Sequence, residues 1–356
     1  LQNISRSKEW QKLLHYKSSG LSQHPTSEID SPSFFLSAHG SVDPLQELQE
    51  SIVAFDAKNT TRIGRFLMHP QCVFPARYHF LKSRLGSWTQ DVFCKDFLEW
   101  KNALKPVKAY IVFSTAYANN PASSFGHTFL RIKTNNQDSD LLDYVINFAA
   151  DTEGTKNAIK YITYGVFGKF RGYFSMEKYY LKINDYNNNE SRDLWEYELN
   201  LSPQEIEKLL EHFWELHSTA YVWYYFLSGN CSYYLLSLIE VAKPQWDLSE
   251  SFYHPYLISY TLPSETIKEV LKNENAVRSI SFRASKRKVL VQKVESLTPN
   301  EAKTFFEVIS HKKEISQVTE PFLLDTIITY YDYKKRQEGQ NQKEETLARL
   351  RSALLT

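Results

Sequence analysis

The sequence predicts an α+β fold, with an antiparallel sheet in the middle of the chain and helical additions at both ends. Three observations carry that prediction. Residues 109–150 hold three β-branched and aromatic segments joined by short connections, the pattern of antiparallel neighbours. Residues 202–218, "SPQEIEKLLEHFWELHS", have a complete helix start: Ser202 as cap, Pro203 at the first position and Glu205 closing a capping box. No run of about 18 apolar residues occurs, so no helix spans a membrane.

Composition narrows the class further. At 356 residues and 42% hydrophobic, the chain holds ample core for about two domains, or one domain with large additions. It has 23 Tyr and 22 Phe but only 11 Gly, which excludes a disordered or low-complexity chain. The net charge of +1 leaves no basic excess for nucleic acid, and no RNA-binding signature is present.

Taken in order, residues 1–104 read as helices and loops. "LQNISRSKEWQKLL" starts polar and becomes amphipathic, unlike a signal peptide; a mature secreted domain would start the same way, so the compartment stays open. Trp10, Leu13 and Leu14 have helical spacing. "SEIDSPSFFLSAHGSVDP" is loop-like. "DPLQELQESIVAFDA" is a helix with Asp43 as cap and Pro44 at its first position. "ARYHFLKSRL" continues the helical region.

Residues 105–248 form the predicted core. Strands are expected at 109–117, 127–134 and 141–150, with a turn at "NNQDSD". Alternation puts His127, Phe129 and Arg131 on one face of the second strand, and Asp143, Val145 and Asn147 on one face of the third. Residues 151–190 read as irregular. Residues 192–199 read as a strand, and "AYVWYYFLS" suits a strand better than a helix. "GNCSYYLLSLIEVAKP" is a helix capped by Asn230 and stopped before Pro244. Residues 249–356 are mixed and mainly helical: "RKVLVQKV" reads as a strand, while "PNEAKTFFEVISHK", "EPFLLDTIITYYDYKKRQEG" and the charged tail read as helices.

The three cysteines allow three readings. A Cys72–Cys94 disulfide would close a short loop, stabilise by about 3 kcal/mol and leave Cys231 free. Three reduced, buried thiols would fit a cytosolic protein. A metal site using His69, Cys72 and His79 matches no common spacing and lacks a fourth ligand, so no metal is expected.

Cys231 and His127 carry the candidate chemistry. Behind an Asn230 cap, the thiol lies in the first turn of a helix, where free N–H groups and the positive dipole end favour a thiolate. A nearby imidazole would favour it further, and such a pair is an activated nucleophile for acyl chemistry. The Cys231 N–H could supply one oxyanion donor. The imidazole needs an orienting acceptor, and Asn147 or Asp143 on the adjacent strand would serve. Taken singly, each residue also suits an ordinary core.

The phrases "FGHTFLRI" and "NCSYYLL" resemble the histidine and cysteine segments of circularly permuted papain-like enzymes, including relatives of lecithin:retinol acyltransferase. The longer match is to the Lnb-type periplasmic domain, named after a bacterial lipoprotein N-acyltransferase. "CVFPARYHFL", "SSFGHTFLRI", "VINFAAD", "YGVFGKFRGYFSMEKYYLKINDY", "ESRDLWEYELNLS", "YYFLSGNCSYYLLSLIEVAKP" and "LPSETI" follow the family order over about residues 72–267. The resemblance implies a permuted papain-like core with His127 as base, Cys231 as nucleophile and Asn147 orienting the imidazole, Asp143 sharing its predicted face. It implies that Ser124, Asn230 and Tyr224 line or brace the site, and that Arg192, Asp193 and Glu196 form a structural charged network. It implies the periplasm or cell envelope of a Gram-negative-type bacterium, no cofactor, and a lipid, lipoprotein or peptidoglycan substrate, with association to a membrane surface. The founding enzymes carry a membrane-spanning portion that this sequence lacks, so the acyl group stays open.

Three functions follow as expectations. One is an envelope acyltransferase or hydrolase working through an acyl-enzyme on Cys231. Another is a peptidoglycan peptidase or amidase of NlpC type using the same pair. The third is a non-enzymatic envelope binding domain.

Overall fold

The computed structural model describes residues 1–18, 25–58, 60–63, 66–86, 88, 90–117, 125–135, 139–152, 154–155, 157–253 and 260–353. The chain divides into two compact units, Leu1–Tyr179 with Glu196–Ile280, and Tyr180–Trp195 with Ser281–Thr356. The seven strands of the large sheet are β1 (Pro106–Ser114), β2 (His127–Thr134), β3 (Tyr144–Asp151), β4 (Phe170–Lys178), β5 (Leu194–Leu199), β6 (Val222–Tyr224) and β7 (Val277–Arg283). Their order is β6-β4-β3-β2-β1-β5-β7. The pairs from β6 through β4, β3 and β2 to β1 are antiparallel.

The main helices are α1 (Lys8–Leu13), α2 (Pro44–Asp56), α3 (Pro75–Leu85), α4 (Lys95–Leu104), α5 (Ala158–Val166), α6 (Pro203–Thr219), α7 (Cys231–Ala242), α8 (Pro263–Lys272), α9 (Lys286–Glu295), α10 (Pro299–Ile309) and α11 (Pro321–Ala353). Their starts follow local chemistry. Asp43 accepts from the N–H groups of Leu45 and Gln46 ahead of α2, and the Ser202–Glu205 capping box opens α6.

Alternation decides what the sheet buries. Leu130 and Ile132 of β2, Ile146 and Phe148 of β3, and Ala109 and Ile111 of β1 face α6 and α7 in one apolar core. The N-terminal helices share that core through Trp10, Leu48, Phe55 and Leu81. Arg77 of α3, wholly buried, pairs with Glu47 of α2 at 3.1 Å and lies 3.6 Å from Glu215 of α6. Residues 1–104 and the strands after them fall in one unit, and the divisions between units lie near residues 180, 195 and 281.

Three local expectations are corrected. Residues 151–190 are not irregular: they contain α5 and β4. In β4, Phe170, Gly172 and Phe174 point inward and alternate with exposed Arg171, Tyr173 and Ser175. Gly172 makes room for an aromatic ring, since a Cβ there would come within 2.3 Å of Phe148. In "AYVWYYFLS" only Val222–Tyr224 is strand. "RKVLVQKV" is helix α9, because Ser285 caps it and the apolar Leu290 and Val294 recur at i and i+4, on one side of a helix. In the smaller unit, Phe305 and Val308 of α10 and Leu323 and Ile327 of α11 form a core with Leu297, and Val294 of α9 packs against it.

Candidate active site

Cys231 begins α7, and the residue before it fixes where the thiol sits. Asn230 accepts from the N–H groups of Ser232 and Tyr233, at 3.0 and 3.4 Å. Its amide donates to the carbonyls of Thr261, at 2.7 Å, and Phe226, at 3.2 Å. The cap thus ties the helix start to two neighbouring segments. Cys231 is the free cysteine, and it is buried. Its thiol lies 3.8 Å from Ser232 Oγ, and His127 and the Thr128 N–H act on it electrostatically. Burial pushes the thiol pKa up. The His127 imidazole, then the Thr128 N–H and the Ser232 hydroxyl, pull it down further, to about 6.

His127 opens β2, directly across from Ser114 of β1. Gly126 makes that start possible. It has φ +94°, and a Cβ there would come within 2.8 Å of the Ser114 carbonyl oxygen and 2.7 Å of the Phe113 ring. The imidazole Nε2–H donates to Asn147 Oδ1 at 2.8 Å. Register explains the reach. Leu130 pairs with Ile146, so in the same register Asn147 lies opposite Phe129, one diagonal step from His127 on the same face. The bond to Asn147 commits Nε2 and leaves Nδ1 as the other ring nitrogen.

Tyr224 closes the cluster. Its hydroxyl accepts from the Cys231 N–H at 3.4 Å, and its ring stacks on Phe148 with centroids 5.7 Å apart. Burial first, and then the Cys231 charge, raise its pKa well above the usual phenol value, so it remains a neutral donor. Thr128 and Ser232 were not anticipated from the sequence. Thr128 Oγ1 donates to Ser232 Oγ at 2.8 Å, and that hydroxyl in turn lies beside the thiol. The available signal was a second hydroxyl in the first turn of the cysteine helix, which suits an ordinary capping turn equally well.

Asp143 is corrected: it does not orient the imidazole. It accepts from Arg131 Nε at 2.8 Å and from the Thr134 N–H at 3.0 Å. Thr134 is seven residues along β2 from His127, roughly 20 Å at strand rise. Asp143 shares the face of Asn147 but serves the opposite end of the strand. Arg131 also meets Glu196 at 2.5 Å, and Tyr179 donates to that carboxylate at 2.5 Å. The expected network of Arg192, Asp193 and Glu196 is therefore divided. Arg192 pairs with Glu190 at 3.0 Å, and Asp193 accepts from the Ser285 N–H at 2.8 Å. Ser124 lies outside the described residues.

A cavity of about 560 Å³ borders the approach to α7. Tyr225, Ser228, Gly229, Tyr233, Tyr234, Phe167 and Val166 line it. Cys72 and Cys94 form a disulfide, Cα atoms 5.1 Å apart, between the turn before α3 and the start of α4. Among the described residues, no group of three or more His, Cys, Asp or Glu is placed to hold a metal.

The fold and the site define a class: a mixed α/β domain with a strand-start histidine, a helix-start cysteine and an asparagine on the neighbouring strand, gathered beside an aromatic cavity. Residues 96–273 match the Lnb N-terminal periplasmic domain, and the chain belongs to that family. Residues 2–84 match a second family model, Domain of unknown function (DUF7843). No curated protein and no solved structure matches the chain. Membership places this domain in the periplasm or cell envelope, an oxidising location that suits the disulfide. No helix among the described residues is long and apolar enough to cross a membrane.

Proposed function

We propose that this domain is a cysteine-dependent acyltransferase or hydrolase of the cell envelope, with the permuted papain-like arrangement in which the histidine strand precedes the cysteine helix. The observation that supports the reading is the His127–Asn147 hydrogen bond beside the start of the cysteine helix, together with the pull of the imidazole on the Cys231 thiol. In this mechanism the Cys231 proton passes to His127 Nδ1, and the thiolate attacks the carbonyl carbon of an ester or amide. Asn147 holds the imidazole in the tautomer that can take the proton. The Tyr224 hydroxyl, which accepts from the Cys231 N–H, gives its own proton as a hydrogen bond to the oxyanion that forms. The tetrahedral adduct collapses, its C–O or C–N bond breaks, and the leaving alcohol or amine takes the proton back from His127. The acyl group now rests on sulfur as a thioester. An amine or water attacks it, giving its proton to His127, and free Cys231 returns.

The test exposes the protein to a lipid-like thioester probe and to a peptide-like electrophilic probe, and intact-mass spectrometry locates the adduct. The wild type should be modified at Cys231. Cys231→Ala should be inert, and His127→Ala should be slower by about 10²–10⁴-fold. Preference for the lipid-like probe favours lipid or lipoprotein acyl groups; preference for the other favours a peptidoglycan peptide. A Cys231 no more reactive than a free thiol in a short peptide would leave a binding domain as the better account.

A further inference from the structure

We propose that the hollow where α5 meets the first residues of β4 binds an acidic saccharide, one whose sugar rings carry carboxylates. The site is separate from the thiol chemistry proposed above and does not rest on it.

The sheet register builds its floor. Arg171 of β4 lies between Asp151 of β3 and Trp223 of β6, each its direct partner. These three side chains make one row across three strands, on the exposed side of the sheet. Beside that row Tyr173 meets Tyr221, with ring centroids 6.3 Å apart. Lys160 and Tyr164 of α5, with Lys169 from the turn into β4, complete the lining of a hollow of about 270 Å³.

Charge decides that the ligand is an anion. Lys160, Lys169 and Arg171 all line the hollow, and none of them has an ion-pair partner among the described residues. Elsewhere in the same unit Lys82 and Lys133 are matched by Asp91 and Asp140, at 2.6 and 2.7 Å. Among the described residues of the lining, Asp151 is the one carboxylate set against these three cations. Unmatched positive charge in a hollow draws in an anion.

Aromatic surface decides what carries the anion. Arg171 lies over the rings of Tyr221 and Trp223, 4.5 and 5.6 Å from their centroids. Stacking holds a guanidinium flat and leaves its N–H donors at the edge of the plane, the geometry that takes a carboxylate with two bonds. Tyr164, Tyr173 and Trp223 are exposed beside that charge and present flat apolar faces. A pyranose has a flat C–H face to lay on such rings, and hydroxyls at its rim for polar groups such as Asp151 and Thr155. A bare inorganic anion would leave the rings unused, and a neutral sugar would leave the cations unused.

The test is isothermal titration calorimetry of the full chain with tetragalacturonate, with maltotetraose as the neutral counterpart and inorganic phosphate as the bare anion. Tetragalacturonate should bind, with an affinity that falls as salt rises. Maltotetraose and phosphate should bind at least about tenfold more weakly. Arg171→Gln should weaken tetragalacturonate binding by about tenfold or more, and Trp223→Ala by roughly three- to tenfold, with circular dichroism spectra unchanged. Lys160→Gln with Lys169→Gln should flatten the salt dependence. Cys231→Ala should bind as the wild type does, so failure of the thiol chemistry would leave this site standing. The proposal is overturned if tetragalacturonate does not bind, or if maltotetraose or phosphate binds equally well. It is also overturned if Arg171→Gln and the lysine double variant both bind like the wild type.

Discussion

At the scale of single residues, the site turns on how a buried thiol is made acidic. Burial alone would hold Cys231 neutral, and three neighbours overcome it. The thiolate is the reactive form, so its alkylation by iodoacetamide should rise with pH through a midpoint near 6 and fall away below it. An ordinary cysteine has its midpoint near about 8.5. Ser232→Ala removes one hydrogen bond to the anion and should move the midpoint up by about one unit, ~1.4 kcal/mol. A midpoint unchanged by that substitution would take Ser232 out of the site. Asn147→Ala should lower kcat with KM little changed, by less than the ~10²–10⁴ of removing the base itself, because the imidazole remains but turns freely. The helix start at Cys231 and the strand start at His127 were legible from local signals, while pairing the two as a site rested on the family resemblance. The choice between Asn147 and Asp143 was not legible, since both share one alternating face. Only the register and the competing claim of Arg131 separate them.

Among the elements, the short connections and caps carry the prediction best. Asn230, Asp43 and Ser202 mark their helices because a side-chain oxygen satisfies N–H groups that nothing else local can reach. Alternation worked where one face of a strand was plainly apolar and failed at α9, where valines among lysines suit either period. It also failed at β4, where a glycine needed by the Phe148 ring broke the pattern. The disulfide acts at this scale too. Cys72 and Cys94 are 22 residues apart, and replacing both by Ala should cost about 3 kcal/mol in urea unfolding. A loss well under 1 kcal/mol would mean that the unfolded chain is already compact around that loop.

For the whole molecule, the N-terminal helices are joined to the sheet domain by buried charge. Arg77, with no exposed surface, bonds Glu47 and Glu215 and lies over the Phe34 and Phe74 rings, at 4.1 and 4.2 Å. Arg77→Ala strands two buried carboxylates and should cost about 3–5 kcal/mol. The exposed pair Lys95–Glu99 offers the contrast, and Lys95→Ala should cost under about 0.5 kcal/mol. Beside Arg77, His15 and His212 meet Nε2 to Nε2 at 2.9 Å, and His212 Nδ1 lies 3.0 Å from Glu215. Burial first, then neighbouring positive charge including Arg77, holds both histidines well below their usual 6.5. The unfolded chain therefore takes up these protons first, and this contribution to stability is lost as pH falls through about 6.5. Burial also raises Glu215 to about 7, and this acts in the opposite direction: the folded state keeps that proton longer, so stability falls as pH rises from about 4.5 to 7. His15→Gln removes one of the two histidine terms and should flatten the acid limb of stability against pH in urea titrations. An unaltered limb would show that the pair does not titrate on unfolding.

The sequence by itself determined the elements whose signals are local: the capped helices, the alternating strands, and a cysteine and a histidine each placed at the start of one. Those signals act within a few residues, so a single segment is enough to read them. Tertiary structure decided everything that depends on which strand lies beside which. It chose Asn147 over Asp143, brought the Thr128 and Ser232 hydroxyls to the thiol, and set Arg77 between helices distant in the chain. It also set Arg171 of β4 against Trp223 of β6. A side chain's partner across a sheet is fixed by register, and register is a property of the assembled fold that no short stretch of sequence contains.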